Sequence, residues 1–398
     1  MTSEILILTP SAVALAADSA VTVGNKKTYN GVNKLFMLSN DPPMGIMTYN
    51  LATFSNIPME TLIKEFKKEM DKNLKTVVEF RDCFEKFLKK LVRNPRYTHS
   101  FEKQLNEFIK NIRDEAQHID DSMFVNIVKN VAENVDLMDL EYSDEIIKKL
   151  NENEFKLIKL IPNSITEEKE EFLENLKKFF VFNVFIDSFS GIVIAGFDED
   201  KLFPSYIEFN IHYLFDEKFI SKHIKDFNIK GNQVHIRPLA QGDVINTFLS
   251  SIDEFTQSQI VNYFDNIHKD YVSNIKNALE INPNLTDDEK KEIFSEISKI
   301  QVVNDNLTNS FNRFINNLKK DHSKPILNSI SALPKDELSN LVESLIKITS
   351  IKRKVQNDLE TVGGPVDVAI ITKGDGFIWT KRKHYFEGDL NPQFFKRE

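Results

Sequence analysis

Residues 1–38, MTSEILILTPSAVALAADSAVTVGNKKTYNGVNKLFML, are the stretch of this chain that decides its fold. Two short apolar runs flank Pro10 and the serine after it, a dipeptide that favours a turn. A hairpin centred on that turn pairs residues whose numbers sum to about 21, so Thr2 lies across from Asp18 or Ser19. The pattern therefore predicts that the amino terminus starts beside an acidic residue at the end of the second strand.

A second break in the apolar pattern falls at residues 24–27, Gly-Asn-Lys-Lys, and another apolar run follows it. Pairing about this break brings Asp18 beside Asn33 and Lys34, to within about one residue of register. Three polar side chains that are distant in sequence, those of Thr2, Asp18 and Lys34, are therefore predicted to converge at one end of a small sheet.

This convergence suits nucleophilic catalysis by an amino-terminal threonine. Only Met1 precedes Thr2, and the small side chain at position 2 is expected to permit removal of that methionine. Thr2 then carries its own nucleophile, the hydroxyl, and its own base, an α-amine whose unperturbed pKa is near 7.7–8.0. A Lys34 ammonium nearby would lower the pKa of the hydroxyl and favour a neutral amine, and Asp18 would fix the lysine. Each residue by itself has an ordinary explanation, because a threonine at position 2 is common and Asp–Lys pairs across strands are usual surface features. Only the predicted strand register, which brings all three residues together, favours a catalytic site.

Part of this stretch resembles the start of a proteasome β subunit or of the bacterial HslV peptidase, without gaps between Thr2 and Lys34. The residues that carry the resemblance are Ala16, Ala17, Asp18, Ser19, Thr22, Gly24, Val32 and Lys34. The resemblance implies an α+β fold, the αββα sandwich of the N-terminal nucleophile hydrolases. It also implies that Thr2 is the nucleophile, that Lys34 lowers its pKa and that Asp18 orients the lysine.

Later segments resemble further parts of that family. Residues 43–50 match the strand whose end donates an oxyanion-hole N–H, so Tyr49 and Asn50 are candidate oxyanion or substrate residues; any non-proline residue supplies such a donor. The family's Gly-Ser-Gly turn before a helix corresponds to Gln241 and Gly242, which are candidates for the same role. The family's central strand pair and its late strand correspond to residues 188–198, 205–214 and 362–370.

Amphipathic periodicity fills the remaining length with helices. Apolar residues at helix spacing begin after Pro58, and glycine is almost absent from the two long segments that show this pattern. We therefore expect a proteasome-like core with large helical insertions. Its parts are residues 1–57, the first part of the core; 58–186, a helical insertion; 187–251, the second part of the core; 252–356, a helical region; and 357–398, the C-terminal core strands and tail.

Composition argues against several classes of function. The formal net charge of −9 disfavours a nucleic-acid partner, and the single cysteine, Cys83, rules out an intramolecular disulfide framework. The sequence has neither a run of about 18 apolar residues nor a basic leader, so we expect no membrane span and a cytoplasmic protein. Its eight histidines are scattered and it lacks a phosphate loop, so we expect neither a metal nor another cofactor.

The predicted function is hydrolysis of peptide or amide bonds by Thr2, with a peptide or protein as substrate. The resemblance further implies a homo-oligomer and an unfoldase or regulator as a candidate partner.

Two alternatives stay open. The chain is a catalytically inert scaffold or binding subunit if Met1 is retained. That alternative is favoured because Gln241, Leu359 and Val362 stand where the family has a serine, an aspartate and a second serine. An amidase acting on a small molecule would use the same chemistry as a peptidase, and only the shape of the pocket separates the two.

Overall fold

A computed structural model describes residues 2–23, 27–116, 119–136, 141–165, 167–355, 362–391 and 393. The strands are β1 (Ser3–Leu8), β2 (Val13–Ala17), β3 (Ala20–Val23), β4 (Lys27–Asn30), β5 (Leu35–Asn40), β6 (Pro43–Asn50), β7 (Thr53–Phe54), β8 (Ile57–Pro58), β9 (Ser190–Gly196), β10 (Ser205–Tyr213), β11 (Phe219–Asn228), β12 (His235–Ala240), β13 (Asp367–Thr372) and β14 (Gly376–Lys381). The helices are α1 (Met59–Glu69), α2 (Val77–Val92), α3 (Phe101–Ala116), α4 (Asp121–Ala132), α5 (Ser143–Glu152), α6 (Glu154–Leu157), α7 (Lys169–Val181), α8 (Asp243–Ser250), α9 (Glu254–Glu280), α10 (Asp287–Ser331) and α11 (Lys335–Val355). Short helical turns span Ile158–Leu160, Phe182–Ile186 and Gly388–Leu390.

Two five-stranded sheets form the framework of the described chain, and all their pairings are antiparallel. The first sheet has the order β12-β1-β2-β13-β14, and the second has the order β11-β10-β9-β6-β5. In the β1–β2 ladder Glu4 lies opposite Ala17, which is the register expected from the turn at Pro10. The first sheet therefore joins the start of the chain to strands that come more than 200 residues later.

Alternation along β1 shows how the first sheet is buried on both faces. Leu6 and Leu8 pack between the two sheets, against residues of the second sheet such as Met47. Ile5 and Ile7 face the other way and pack under α11, where Val342 lies. A strand covered on both faces has few positions for polar side chains, so any charged residue in β1 must find partners inside the protein.

The outer face of the second sheet is covered by α1 and α2. Phe66 of α1 and Phe84 of α2 pack edge to face, and Phe84 also meets Phe209 of β10. With α11 on the far side of the first sheet, the layers run helix, sheet, sheet, helix. This mixed helix and sheet architecture is what positions Thr2 beside both sheets.

A separate apolar cluster lies among the helices from α3 to α7. Phe101 and Phe108 of α3 pack edge to face against Phe180 of α7, and Phe215, which follows β10, closes on Phe101. These rings are buried. These phenylalanines therefore build a core of their own within the helical region.

The strand that follows Lys34 lies in a different sheet from the one predicted. β3 and β4 pair as a two-stranded ribbon with Ala20 opposite Asn30, close to the expected register. The chain then leaves the ribbon over residues 31–34, and β5 pairs with β6 in the second sheet. Lys34 thus reaches the site from the start of a strand in the opposite sheet, because the apolar residues after it find a buried partner strand there.

Candidate active site

Thr2 lies directly before β1, at the end of the first sheet that faces β6. Its carbonyl oxygen accepts a hydrogen bond from the N–H of Gln241 at 3.2 Å, which extends the β1–β12 ladder by one residue. Its hydroxyl Oγ1 donates to Glu4 Oε2 at 3.0 Å and accepts from the N–H of Asn50 at 3.4 Å. The residue is only 3% exposed. Thr2 is therefore held by its main chain, and its hydroxyl sits between a carboxylate and a backbone donor.

Lys34 is the cation of the site. Its carbonyl oxygen accepts the N–H of Thr48 at 2.8 Å, which fixes the lysine at the entrance of β5 beside β6. Its ammonium donates to Asp18 Oδ1, and its Nζ lies 3.2 Å from Glu4 Oε1. The side chain is almost fully buried. One ammonium is thus shared by two buried carboxyl groups.

Asp18 follows β2 and acts as the anchor of this lysine. Its Oδ1 accepts the N–H of Ser3 at 3.3 Å, and its Oδ2 accepts the N–H groups of Ala20 at 3.3 Å and Gly363 at 3.0 Å. Three backbone donors from three separate segments therefore fix the carboxylate that holds Lys34.

Glu4 was missed by the sequence interpretation, although it completes the cluster. Its side chain is 0% exposed, and burial raises its pKa to about 7 despite the opposing influence of the Lys34 ammonium. The sequence does contain a feature that points to Glu4. It lies two residues after Thr2, and residues two apart on a strand point to the same face of the sheet. The apolar run that follows Glu4 in β1 obscures this spacing.

The two oxyanion candidates on β6 have different roles. The Asn50 backbone N–H points at Thr2 Oγ1, and Asn50 adopts a positive φ of 67°. Its side-chain amide donates to the carbonyl oxygen of Phe189 at 3.1 Å, which fixes this turn of the backbone. Tyr49 instead directs its ring between the sheets, where its hydroxyl donates to Glu208 Oε1 at 2.8 Å. A backbone donor near an attacking oxygen is suited to an oxyanion hole, and Asn50 is the residue that offers it.

Tyr49 belongs to a buried network that ties the two sheets together. Glu208 of β10 accepts from Arg237 of β12 through both oxygens, at 2.8 and 2.9 Å. Burial, reinforced by the Glu208 charge, raises the pKa of Tyr49 far above its usual value. Gly191 lies opposite Tyr49 in the β6–β9 ladder, and a Cβ there would fall 2.1 Å from the tyrosine ring. This packing fixes the residue immediately before Asn50.

The candidates before α8 support the main chain of the site. Gln241 uses its backbone N–H to hold the Thr2 carbonyl, and Gly242 precedes the first turn of α8. A polar cavity of about 580 Å³ borders Gln241, Gly242 and Tyr49, and Thr2 does not line it.

The structure thus brings Thr2, Asp18 and Lys34 together, with Glu4 and the Asn50 N–H added to them. Leu359, expected where the family has an aspartate, lies outside the described residues, whereas Val362 is buried. Across the described ranges, the acidic, histidine and cysteine side chains form no group suited to a metal ion. In the same part of the chain, each helix is too short or too polar to cross a membrane.

Comparisons with known proteins give distant structural likenesses. No protein-family model matches this chain, and neither does any curated protein. The chain is similar to Anbu (ancestral beta-subunit) from Yersinia bercovieri at 9% identity and a TM-score of 0.32, covering 99% of this chain and 93% of that one. A helical assembly of the Anbu complex from Pseudomonas aeruginosa gives 9% identity, a TM-score of 0.35 and coverage of 100% and 93%. A mutant Anbu from a Hyphomicrobium species gives 9% identity, a TM-score of 0.33 and coverage of 100% and 98%.

The expected membership of the proteasome β-subunit or HslV-like peptidase family is therefore wrong. No such family model matches, and the similar structures carry the name Anbu at a distance that transfers neither activity nor assembly. The resemblance rested on the segment from Thr2 to Lys34 and on short later fragments, and no family model matches the chain that contains them. An Asp–Lys pair next to a hairpin is a local arrangement that a few residues can specify. It is not enough to assign a chain of 398 residues to a family.

Proposed function

We propose that this chain is an amino-terminal threonine hydrolase that cleaves peptide or amide bonds once Met1 has been removed, in an αββα fold of the N-terminal nucleophile type. The observation that carries the proposal is the environment of Thr2 Oγ1. This hydroxyl lies between the Glu4 carboxylate and the Asn50 N–H, beside a buried lysine held by Asp18. A nucleophile, a proton acceptor, a cation and an oxyanion donor are the groups that acyl transfer requires.

The chemistry follows from these positions. Thr2 Oγ1 attacks the carbonyl carbon of the substrate while its proton passes to a base, and the resulting oxyanion accepts the Asn50 N–H. The C–N bond then breaks, the leaving nitrogen takes the proton, and an ester of Thr2 forms. Water hydrolyses that ester and restores the hydroxyl. The Lys34 ammonium favours the loss of the hydroxyl proton because it stabilises negative charge at Oγ1.

The inert scaffold stays the second candidate. Its supporting observation is that Thr2 is 3% exposed, which leaves a substrate little access to the hydroxyl. The buried charges argue against this candidate. Burying Lys34 with two carboxyl groups costs desolvation free energy, and a purely structural core would have apolar residues there instead. Self-association, an unfoldase or regulator as partner, and the choice between peptide and small-molecule substrates stay predictions.

Replacing Thr2 tests the proposal, with Thr2→Ala compared with Thr2→Ser. Wild-type protein is expected to form an ester adduct with a β-lactone and to hydrolyse fluorogenic peptide amides. Thr2→Ala removes the only attacking atom proposed, so hydrolysis should fall by at least about 10⁴-fold and the adduct should vanish. Thr2→Ser keeps a hydroxyl at the same position and should keep both reactions at a reduced rate.

The melting temperatures of the three proteins serve as the control for folding. Unchanged adduct formation by a folded Thr2→Ala protein would rule out Thr2 as the nucleophile.

A further inference from the structure

The carboxyl group of Glu4 is in direct contact with the atom proposed to attack. Oε2 accepts the Thr2 hydroxyl at 3.0 Å, and Oε1 lies 3.2 Å from Lys34 Nζ. Glu4 is 0% exposed, and within the described part of the chain its Oε1 has no hydrogen-bond donor aligned with it. This carboxylate is therefore less well solvated than its neighbour Asp18, which receives three backbone N–H groups and the lysine.

The charge balance of the cluster points to the same group. Two buried carboxyl groups share the Lys34 ammonium, so ionising both beside a neutral Thr2 amine leaves one net negative charge inside the protein. The carboxyl with fewer donors is the one that holds a proton most readily, and that carboxyl is Glu4. Burial raises the pKa of Glu4 to about 7. The ionised Glu4 side chain is therefore a much stronger base than a glutamate in water.

We propose that the Glu4 carboxylate is the base that takes the proton from the Thr2 hydroxyl during attack. The inference rests on the proposed function and deepens it. The Oγ1–H bond breaks and its proton moves to Oε2, while the Oγ1–C bond forms and the carbonyl π electrons move to the oxygen held by the Asn50 N–H. Glu4 then returns the proton to the leaving nitrogen as the C–N bond breaks, so the atoms and charges balance.

This assignment separates the base from the α-amine of Thr2. The groups that face Glu4 are the Thr2 hydroxyl, Lys34 and Asp18, with Tyr49 and the Glu208–Arg237 pair behind them. Lys34 Nζ lies 3.2 Å from Oε1, where its charge lowers the energy of the ionised form that acts as the base.

The test is the rate at which a β-lactone acylates Thr2 between pH 5.5 and 9, followed by intact mass, in wild type and in Glu4→Gln. Glutamine keeps the size and a hydrogen-bond acceptor but does not accept the proton. The rate in Glu4→Gln should fall by about 10²-fold or more, and the rise of the wild-type rate through a pH near 7 should disappear. Glu343→Gln, which alters a buried carboxyl paired with Lys347 on α11, is the matched control and should acylate like wild type.

Thermal melting gives a readout that does not depend on reactivity. Since the pKa of Glu4 is raised in the folded protein, its favourable contribution is complete below about pH 4.5 and is lost as the pH rises through about 7. Wild type should therefore lose more stability between pH 5.5 and pH 8 than Glu4→Gln does.

Three results would overturn the assignment. If Glu4→Gln acylates at the wild-type rate, or more slowly by one constant factor with the rise near pH 7 intact, the amine is the base. If the two proteins melt with the same pH dependence, Glu4 does not titrate. If wild type forms no adduct at any pH, the proposed function fails and this inference fails with it.

Discussion

Replacing Lys34 with methionine is expected to abolish acylation of Thr2 and to lower the free energy of unfolding by about 3–5 kcal/mol. Methionine keeps the approximate length of the side chain but removes its charge. Asp18 and Glu4 would then lie buried without a cation, and both lose the ammonium that contacts them. Urea unfolding at pH 8 measures the loss, and β-lactone labelling measures the reactivity.

The pH and a second substitution separate this effect from a simple packing defect. At pH 5 a protonated Glu4 needs no cation, so the loss of stability in Lys34→Met should shrink. Adding Glu4→Gln should recover part of the stability for the same reason, but not the acylation. Lys64→Met, which removes an exposed ion pair with Glu60 on α1, is the control and should cost less than about 1 kcal/mol. A fully stable and reactive Lys34→Met protein would contradict the account.

The second large effect is expected from Gly191→Ala, a change at a distance from the reacting atoms. The new methyl group would lie 2.1 Å from the Tyr49 ring, so the ring must move. Overpacking of this kind costs about 1–3 kcal/mol, and a displaced Tyr49 shifts the Asn50 N–H away from Thr2 Oγ1. Because a misplaced oxyanion donor lowers rates by about 10²-fold, acylation should fall by that order while removal of Met1 is unchanged.

A matched glycine distinguishes this effect from a general intolerance of alanine. Gly374 lies in the turn between β13 and β14, and a Cβ there meets no atom within 4 Å. Gly374→Ala should therefore keep wild-type stability and acylation. Equal rates for Gly191→Ala and Gly374→Ala would show that the position of Tyr49 does not govern the oxyanion donor.

The sequence predicted the part of the site that depends on local pairing. The turn at Pro10 and the apolar runs around it determine the β1–β2 register, and that register alone brings Thr2 near Asp18. The position of β5 was harder to predict, because its apolar face fits either a continued ribbon or a strand of the other sheet. β5 pairs with β6 across the short turn at Asp41 and Pro42, and the pairing of β6 with β9, a strand far along the chain, places both strands in the second sheet. No local pattern encodes that second pairing.

The role of Glu4 could not be predicted from the sequence for a different reason. In a strand buried on both faces, polar and apolar residues do not alternate, so a charged residue there looks like an exception and not like a member of a site. Likewise, the resemblance suggested Tyr49 and Asn50 together, and only the geometry shows that the Asn50 N–H faces the hydroxyl while Tyr49 packs against Glu208. The direction of one N–H depends on the positive φ of Asn50, which sequence alone does not reveal.

The central claim is that Thr2 is an amino-terminal nucleophile, and its most direct test is the intact mass of the wild-type protein before and after treatment with a peptide epoxyketone. That reagent closes its ring only with both the hydroxyl and the free amine of an amino-terminal threonine. The account predicts loss of Met1 and a single adduct, which fragment sequencing assigns to Thr2. A retained Met1, or a free Thr2 that takes no adduct, would contradict it.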